Sequence, residues 1–377
     1  MGDAIFLKAT LLKRLDALAG PLATRLLGKA GGSFLAGSPR SALVIRPGGI
    51  GDAVLLVPAL RALMAASPEC RIDILAEKRN ASAFLLCPGI GTVHRYDSPS
   101  GLAAALKGGY DLVVDTEQWY RLSAVIARLS RAPRTIGFST NDRGRLFTDP
   151  VSYAQQDYEA YSFFRLLAPL GIEPPARIAV PFLTLPSSAA YAGERLLAPL
   201  KGRPFVALFP GASIPKKEWG GANFRATALA LSSAGVAVVV VGGEDARMAG
   251  DVIAEGGVAL NLAGKGTLAE SAALIARAQL LVSGDSGLLH IAAGVGTPTV
   301  SLFGPSDPVK WGPKGEGHQA FGSALPCAPC SMFGTVPPCG GDVRCMDATP
   351  AQVADAVLRI LDGSGRARNC GTQINVD

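Results

Sequence analysis

No stretch of this 377-residue chain stays apolar for the about 20 residues that a bilayer-spanning helix needs, because Arg61 interrupts the longest candidate, Ala53 to Ala66. The first forty residues lack the compact apolar core and small-residue cleavage site of a secretory signal. Aromatic residues are only 6% of the chain, and no basic run is interleaved with them, so a nucleic-acid groove is not expected. Seven cysteines without an export signal point to reduced thiols rather than a disulfide framework. These absences leave a soluble or peripheral globular chain, expected in the cytoplasm.

What is present fits a folded enzyme. Hydrophobic residues make up 49% and charged residues 18%, too apolar for disorder, and the length suits two domains. A net charge of +6 favours anionic partners such as nucleotides or phosphorylated glycans. Near the N-terminus Phe6, Leu11, Leu12, Leu15, Leu18 and Leu22 recur close to helical spacing beside Lys8, Lys13 and Arg14. The extension 1–40 therefore reads as an amphipathic helix, either packed on the body of the protein or lying on an anionic membrane surface.

From Ser41 short apolar runs alternate with helical ones: Leu43 to Ile45, a helix from about Asp52 to Ala66, Ile72 to Leu75, then Leu112 to Val114. A second series opens at Phe205 to Phe209 and continues through Val236 to Val241, Leu280 to Ser283 and Thr299 to Phe303. This βα order implies two parallel α/β sheets in tandem. The expected division is one Rossmann-like domain over 41–185, a Pro-rich linker over 186–203, a second such domain over 204–348 with a Cys-rich loop at 327–345, and a C-terminal helix and loose tail over 349–377. Two such domains facing each other place ligands beyond the carboxyl ends of their strands, in the cleft between them.

The loops after strands therefore carry the chemistry. The first is Arg46-Pro47-Gly48-Gly49-Ile50-Gly51-Asp52, where Gly48, Gly49 and Gly51 permit close approach of another group to the backbone. Local chemistry alone favours Asp52 as a helix cap over a catalytic carboxylate. After Phe209 come Pro210-Gly211-Ala212-Ser213 and Lys216-Lys217-Glu218-Trp219, a hydroxyl and two ammonium groups suited to a diphosphate, or a solvated lysine pair beside a packing tryptophan. The third loop, Gly284-Asp285-Ser286-Gly287, opens a helix bearing His290; the Ser286 and Gly287 amides lie at its positive end, which suits phosphate. Asp285 could orient the turn and His290 could belong to the core. Thr267 to Glu270 fits a capping box, a structural device.

Taken in order, these loops resemble glycosyltransferase family 9, the ADP-heptose:lipopolysaccharide heptosyltransferases. The resemblance rests on Gly51-Asp52 followed by Pro58 to Leu63, Pro210 to Ser213 with Lys217 and Trp219, Val241-Gly242-Gly243, Gly284 to His290, and Phe303 to Pro308, and covers about Ser41 to Leu361. It implies the glycosyltransferase-B fold, with an acceptor-side first domain and a donor-binding second one. It further implies inverting transfer of heptose, or a related sugar, from an ADP-activated donor to a lipopolysaccharide-type, lipid-linked or other glycan acceptor, at the inner face of the inner membrane.

Residue by residue, the resemblance makes Asp52 the general base, puts Ser213, Lys217, Ser286 and Gly287 on the donor diphosphate, matches Asp285 and His290 to the donor-side turn, and sets Glu244 near the donor ribose, with Asp245 equally placed. No cofactor or metal is required for that chemistry. Arg46, Trp119, Arg121 and Arg143 are available in the first domain for anionic sugars but match no motif. Relatives carry similar cysteines, some around iron, so Cys327, Cys330, Cys339 and Cys345 could hold a structural zinc or iron, or could be reduced thiols in a Pro-rich loop. Two other readings stay open: a nucleotide-sugar epimerase of the same fold, and a non-catalytic metal-binding assembly protein.

Overall fold

The computed structural model describes residues 16–31, 37–339 and 343–365. Phe6, Leu11, Leu12 and Leu15 of the N-terminal extension, Cys370 and the tail 366–377 lie outside them. The chain divides into two compact units between Ile178 and Ala179. That is earlier than the linker expected at 186–203, which instead supplies helix α6 (Ser187–Leu197), packed on α9 (Leu268–Arg277) inside the second unit.

In the first unit, helix α1 (residues 16–26) precedes a six-stranded parallel sheet. The strands are β1 (Ser41–Arg46), β2 (Arg71–Ala76), β3 (Ile90–Arg95), β4 (Leu112–Asp115), β5 (Arg134–Phe138) and β6 (Asp149–Val151), in the order β3-β2-β1-β4-β5-β6. The helices are α2 (Ile50–Ala66), α3 (Pro99–Leu106), α4 (Arg121–Leu129) and α5 (Glu159–Arg165). Strands β1 and β4 are buried almost throughout, as parallel strands covered on both faces must be. Their sequences, Leu43 to Ile45 and Leu112 to Val114, are accordingly continuous apolar runs. Helix α2 buries Ala53 to Leu60 without a break, so it shows no polar stripe; truncating any one of its leucines to alanine would cost roughly 2–5 kcal/mol.

The second unit repeats the plan with β7 (Phe205–Phe209), β8 (Ala237–Val240), β9 (Leu260–Asn261), β10 (Leu280–Gly284), β11 (Thr299–Leu302) and β12 (His318–Phe321), ordered β12-β11-β10-β7-β8-β9. Between and after them run α7 (Gly221–Ser233), α8 (Arg247–Ala254), α9, α10 (Gly287–Val295), α11 (Pro308–Trp311) and α12 (Pro350–Gly365). Each sheet thus starts at its centre, builds outward to one edge, and restarts on the other side of its first strand. The reversal falls between β1 and β4 in one unit and between β7 and β10 in the other. Loops leaving those paired strands part to opposite faces and leave a crevice at the carboxyl ends.

Candidate active site

The two reversal points hold most of the residues singled out from the sequence. In the first unit Asp52 is the third residue of α2, whose cap is Gly49 and makes no side-chain cap bond. Asp52 is therefore not the helix cap that its local sequence favours. Its Oδ1 accepts from Gln118 Nε2 at 3.4 Å and lies 3.9 Å from Arg46 Nη1, and its side chain keeps 23% of its surface exposed. The glycine turn is shaped around this carboxylate. A Cβ at Gly49 would sit 3.4 Å from Asp52 Oδ2, and one at Gly48, where φ is +112°, would sit 3.2 Å from Arg46 Nη2. Gly51 lies within the first turn of α2.

Behind Asp52 lies a buried network that sequence reading missed. Arg46, 1% exposed, donates through Nη2 to Glu117 Oε2 at 3.2 Å and through Nη1 to the Thr116 carbonyl. Burial alone would lower its pKa, yet Asp52, Glu117, Glu159 and Asp115 together hold it above the usual value. Gln118 Nε2 donates at 2.7 Å to Glu159 Oε1, whose other oxygen accepts from the Tyr153 hydroxyl at 2.9 Å. The signal available in the sequence was Asp115-Thr116-Glu117-Gln118, a polar run directly after an apolar strand. Glu159 had no local signal, since α5 brings it there from forty-one residues further on.

Two of the arginines that the sequence leaves available for anionic sugars are committed elsewhere. Arg46 serves the network above. Arg143 is wholly buried, 2.7 Å from Asp115 Oδ2, with its guanidinium 5.6 Å from the Phe147 ring centroid. Arg121 is half-buried and donates to Asn141 Oδ1 at 2.5 Å, whereas Trp119 keeps 39% exposure.

In the second unit Lys217 Nζ donates to Asp285 Oδ2 at 2.6 Å, joining the loop after β7 to the loop after β10. His290 Nε2 stands 3.8 Å from Asp285 Oδ1, and its Nδ1 is buried with no partner among the described residues. At 2% exposure His290 is a buried neighbour of the turn. Burial would push the Asp285 carboxyl up, but Lys217 and His290 outweigh it and hold it well below the carboxylate range. The Ser286 hydroxyl is spent as the cap of α10, accepting from Leu289 N at 3.2 Å and meeting Ser283 Oγ at 2.8 Å. What remains for an anion is the amide end of α10, beginning at Gly287.

Ser213 is exposed in the loop after β7. Lys216 turns away to the Pro337 carbonyl at 2.7 Å, and Trp219 is a packing anchor, edge-on to Phe224 with Nε1 donating to the Ala348 carbonyl at 2.8 Å. Glu244 and Asp245 follow β8 after Val241-Gly242-Gly243 and are both exposed; Glu244 pairs with Arg247 at 3.1 Å. Thr267 and Glu270 form the expected capping box.

Cys327, Cys330, Cys339 and Cys345 are free thiols. Burial and then their mutual proximity raise the Cys330 thiol, and burial raises Cys345 with its neighbours adding to it. Among the described residues no three His, Cys, Asp or Glu side chains converge as a ligand set, and Cys339 Sγ instead contacts the Pro337 carbonyl at 3.5 Å. Among the described residues, no helix is long and apolar enough to cross a membrane.

Residues 101–336 match the family model for glycosyltransferase family 9 (heptosyltransferase). The chain is 28% identical over 298 residues to lipooligosaccharide heptosyltransferase 2 of Haemophilus influenzae, covering 71% of this chain and 84% of that protein. It is 30% identical over 287 residues to lipopolysaccharide heptosyltransferase 3 of Escherichia coli, covering 70% of this chain and 83% of that one. The solved structure of the E. coli ADP-heptose lipopolysaccharide heptosyltransferase II superposes with a TM-score of 0.72 at 22% identity, covering 86% of this chain and 99% of that chain. The two α/β units are thus those of the glycosyltransferase-B fold.

Proposed function

Because the chain belongs to glycosyltransferase family 9 and is a glycosyltransferase, we propose that it moves a heptose from an ADP-activated donor to a lipopolysaccharide-type acceptor, inverting the anomeric carbon. The observation that carries this reading is the uncapped Asp52 carboxylate, held at the carboxyl end of β1 by Gln118 and Arg46 rather than by its own helix. A carboxylate kept partly exposed there, with its backbone donors left aside, is suited to accept a proton.

In the proposed step the acceptor hydroxyl oxygen attacks the anomeric carbon from the face opposite the diphosphate. Its proton passes to Asp52 as the bond to the diphosphate oxygen breaks, and the electron pair leaves with ADP. The negative charge that develops on the leaving oxygen is met in the second unit by Lys217, by the amide end of α10 at Ser286 and Gly287, and by the Ser213 hydroxyl. Asp285 holds the Lys217 ammonium at the strand end, with His290 behind it. Glu244 or Asp245, after β8, would take the ribose hydroxyls. The lipid-linked acceptor places the reaction at the inner face of a membrane.

The test is Asp52→Asn, assayed with ADP-heptose and a lipopolysaccharide-core acceptor. Loss of general-base help is expected to lower kcat by roughly a hundredfold to ten-thousandfold, with ADP affinity unchanged because the donor-binding unit is untouched. Transfer at the wild-type rate would remove Asp52 as the base. Release of free sugar from the donor without any acceptor product would remove the transferase reading of this site.

A further inference from the structure

Helix α1 is docked with its apolar side outward. Asp16, Gly20 and Thr24, spaced four apart, are its buried positions. Asp16 Oδ1 accepts from Leu122 N at 2.7 Å, in the open first turn of α4. Gly20 packs where a Cβ would stand 3.1 Å from Arg121 Cβ, and Thr24 returns its hydroxyl to the Gly20 carbonyl at 2.8 Å. Ala23 and Leu27 touch the apolar core of the unit, and Ala30 N donates to the Arg145 carbonyl at 2.8 Å. Two residues further along each repeat, about 200° around the helix, stand Leu18, Leu22 and Leu26, exposed at 80%, 60% and 77%.

An amphipathic helix on a globular body normally buries its leucines and exposes its polar residues. Here the polar and small face is fixed to the body by specific bonds, which leaves the leucine stripe aimed at solvent. The charges that the segment 17–31 itself carries beside it are of one sign. Arg25 follows Leu22 by three residues and Leu18 by seven, so it shares their side of the helix. Lys29 and Arg145 are exposed next to the helix end, and no acid lies between Ala17 and Gly31.

We propose that α1 seats the first unit on an anionic lipid surface, with Leu18, Leu22 and Leu26 entering the headgroup and acyl boundary and Arg25 and Lys29 pairing with lipid phosphates. Three leucines in one row with flanking cations are the composition that interfacial helices use, apolar area supplying the depth and basic residues the preference for anionic lipid. Only the purpose of this docking, bringing the enzyme to a lipid-linked acceptor, rests on the function proposed above. The docking itself is a property of the free protein.

The experiment is co-sedimentation of the full chain with vesicles of equal parts phosphatidylcholine and phosphatidylglycerol, and with phosphatidylcholine alone, in the absence of donor and acceptor. The wild type should bind the anionic vesicles, more weakly as salt rises. The triple variant Leu18→Ser, Leu22→Ser, Leu26→Ser should melt as the wild type does and bind roughly tenfold or more weakly. Arg25→Glu with Lys29→Glu, a second variant that keeps the leucines, should lose the preference for anionic vesicles.

Equal vesicle binding by the wild type and the triple variant overturns the proposal. So does a wild type that self-associates through the stripe, shown by a dimer in sedimentation equilibrium that the triple variant abolishes while vesicle binding is unchanged. Intact vesicle binding with no sugar transfer would instead count against the proposed function and leave the docking standing.

Discussion

Lys217 Nζ and Asp285 Oδ2 stand 2.6 Å apart at the carboxyl ends of two adjacent strands, β7 and β10. Each closes off the other's charge in a place where little water reaches, with side-chain exposures of 14% and 10%. Asp285→Asn leaves the ammonium without its counter-ion, and a desolvated charge that loses its partner costs about 3 kcal/mol or more. The midpoint of urea unfolding is expected to fall accordingly, and ADP should restore part of it by offering phosphate to Lys217.

The same pair fixes a pH dependence. In the folded chain Asp285 is ionised far below the ordinary carboxylate range, so on acidification the unfolded chain takes up that proton first. Its contribution to stability is complete above the unfolded value of 3.8 and is lost progressively as the pH falls below it. Unfolding midpoints measured downward from pH 5 should therefore drop more steeply for the wild type than for Asp285→Asn.

Gly48→Ala should injure both fold and catalysis. The backbone there has φ of +112°, which an L side chain adopts at a cost of about 1–3 kcal/mol. The new methyl would also press on Arg46 Nη2, whose fixed hydrogen bonds prevent it from yielding. A lowered melting temperature together with a reduced kcat is the expected pair of results, with ADP binding by the second unit unaltered.

Arg143 is expected to matter for stability and not for acceptor binding. Arg143→Met would strand Asp115, which is fully buried and whose carboxyl burial already pushes up, at a cost of about 3–5 kcal/mol. Denaturant titration reads that loss. The fraction that remains folded should show the wild-type KM for acceptor.

The thiols should differ in reactivity. Burial pushes Cys87 up to about 11, so little thiolate forms at neutral pH, whereas Cys327 is exposed. Timed alkylation followed by peptide mass analysis should label Cys327 early and Cys87 last. Protection of Cys327, Cys330, Cys339 and Cys345 together, with one equivalent of zinc or iron by elemental analysis, would show instead that the loop closes around a metal.

Much of the architecture was legible because buried parallel strands leave an unmistakable trace: Leu43 to Ile45, Leu112 to Val114, Phe205 to Phe209 and Leu280 to Ser283 are all continuous apolar runs, and all are strands. Strands β3 and β12, whose burial is only partial, and β6 and β9, of three and two residues, left no such trace and were not anticipated; nor was the buried β5, where Arg134, Thr135 and Gly137 break the apolar run. The glycine and serine turns after β1, β7 and β10 were legible for a different reason, since a strand end that meets a helix start needs small residues and caps within a few positions.

The sequence by itself determined that there are two α/β halves, which family they belong to, and which loops carry the polar groups, because periodicity, turn chemistry and motif order are local properties of a chain. Only the tertiary structure decided what those groups touch. It released Asp52 from capping and set it before Gln118 and Glu159, withdrew Arg46 and Arg143 into buried ion pairs, bound Lys217 to Asp285, and turned Leu18 and Leu22 to solvent. Each of those outcomes depends on partners tens of residues away or on which side of a helix finds a hydrogen bond, and neither is encoded in the spacing of the residues concerned.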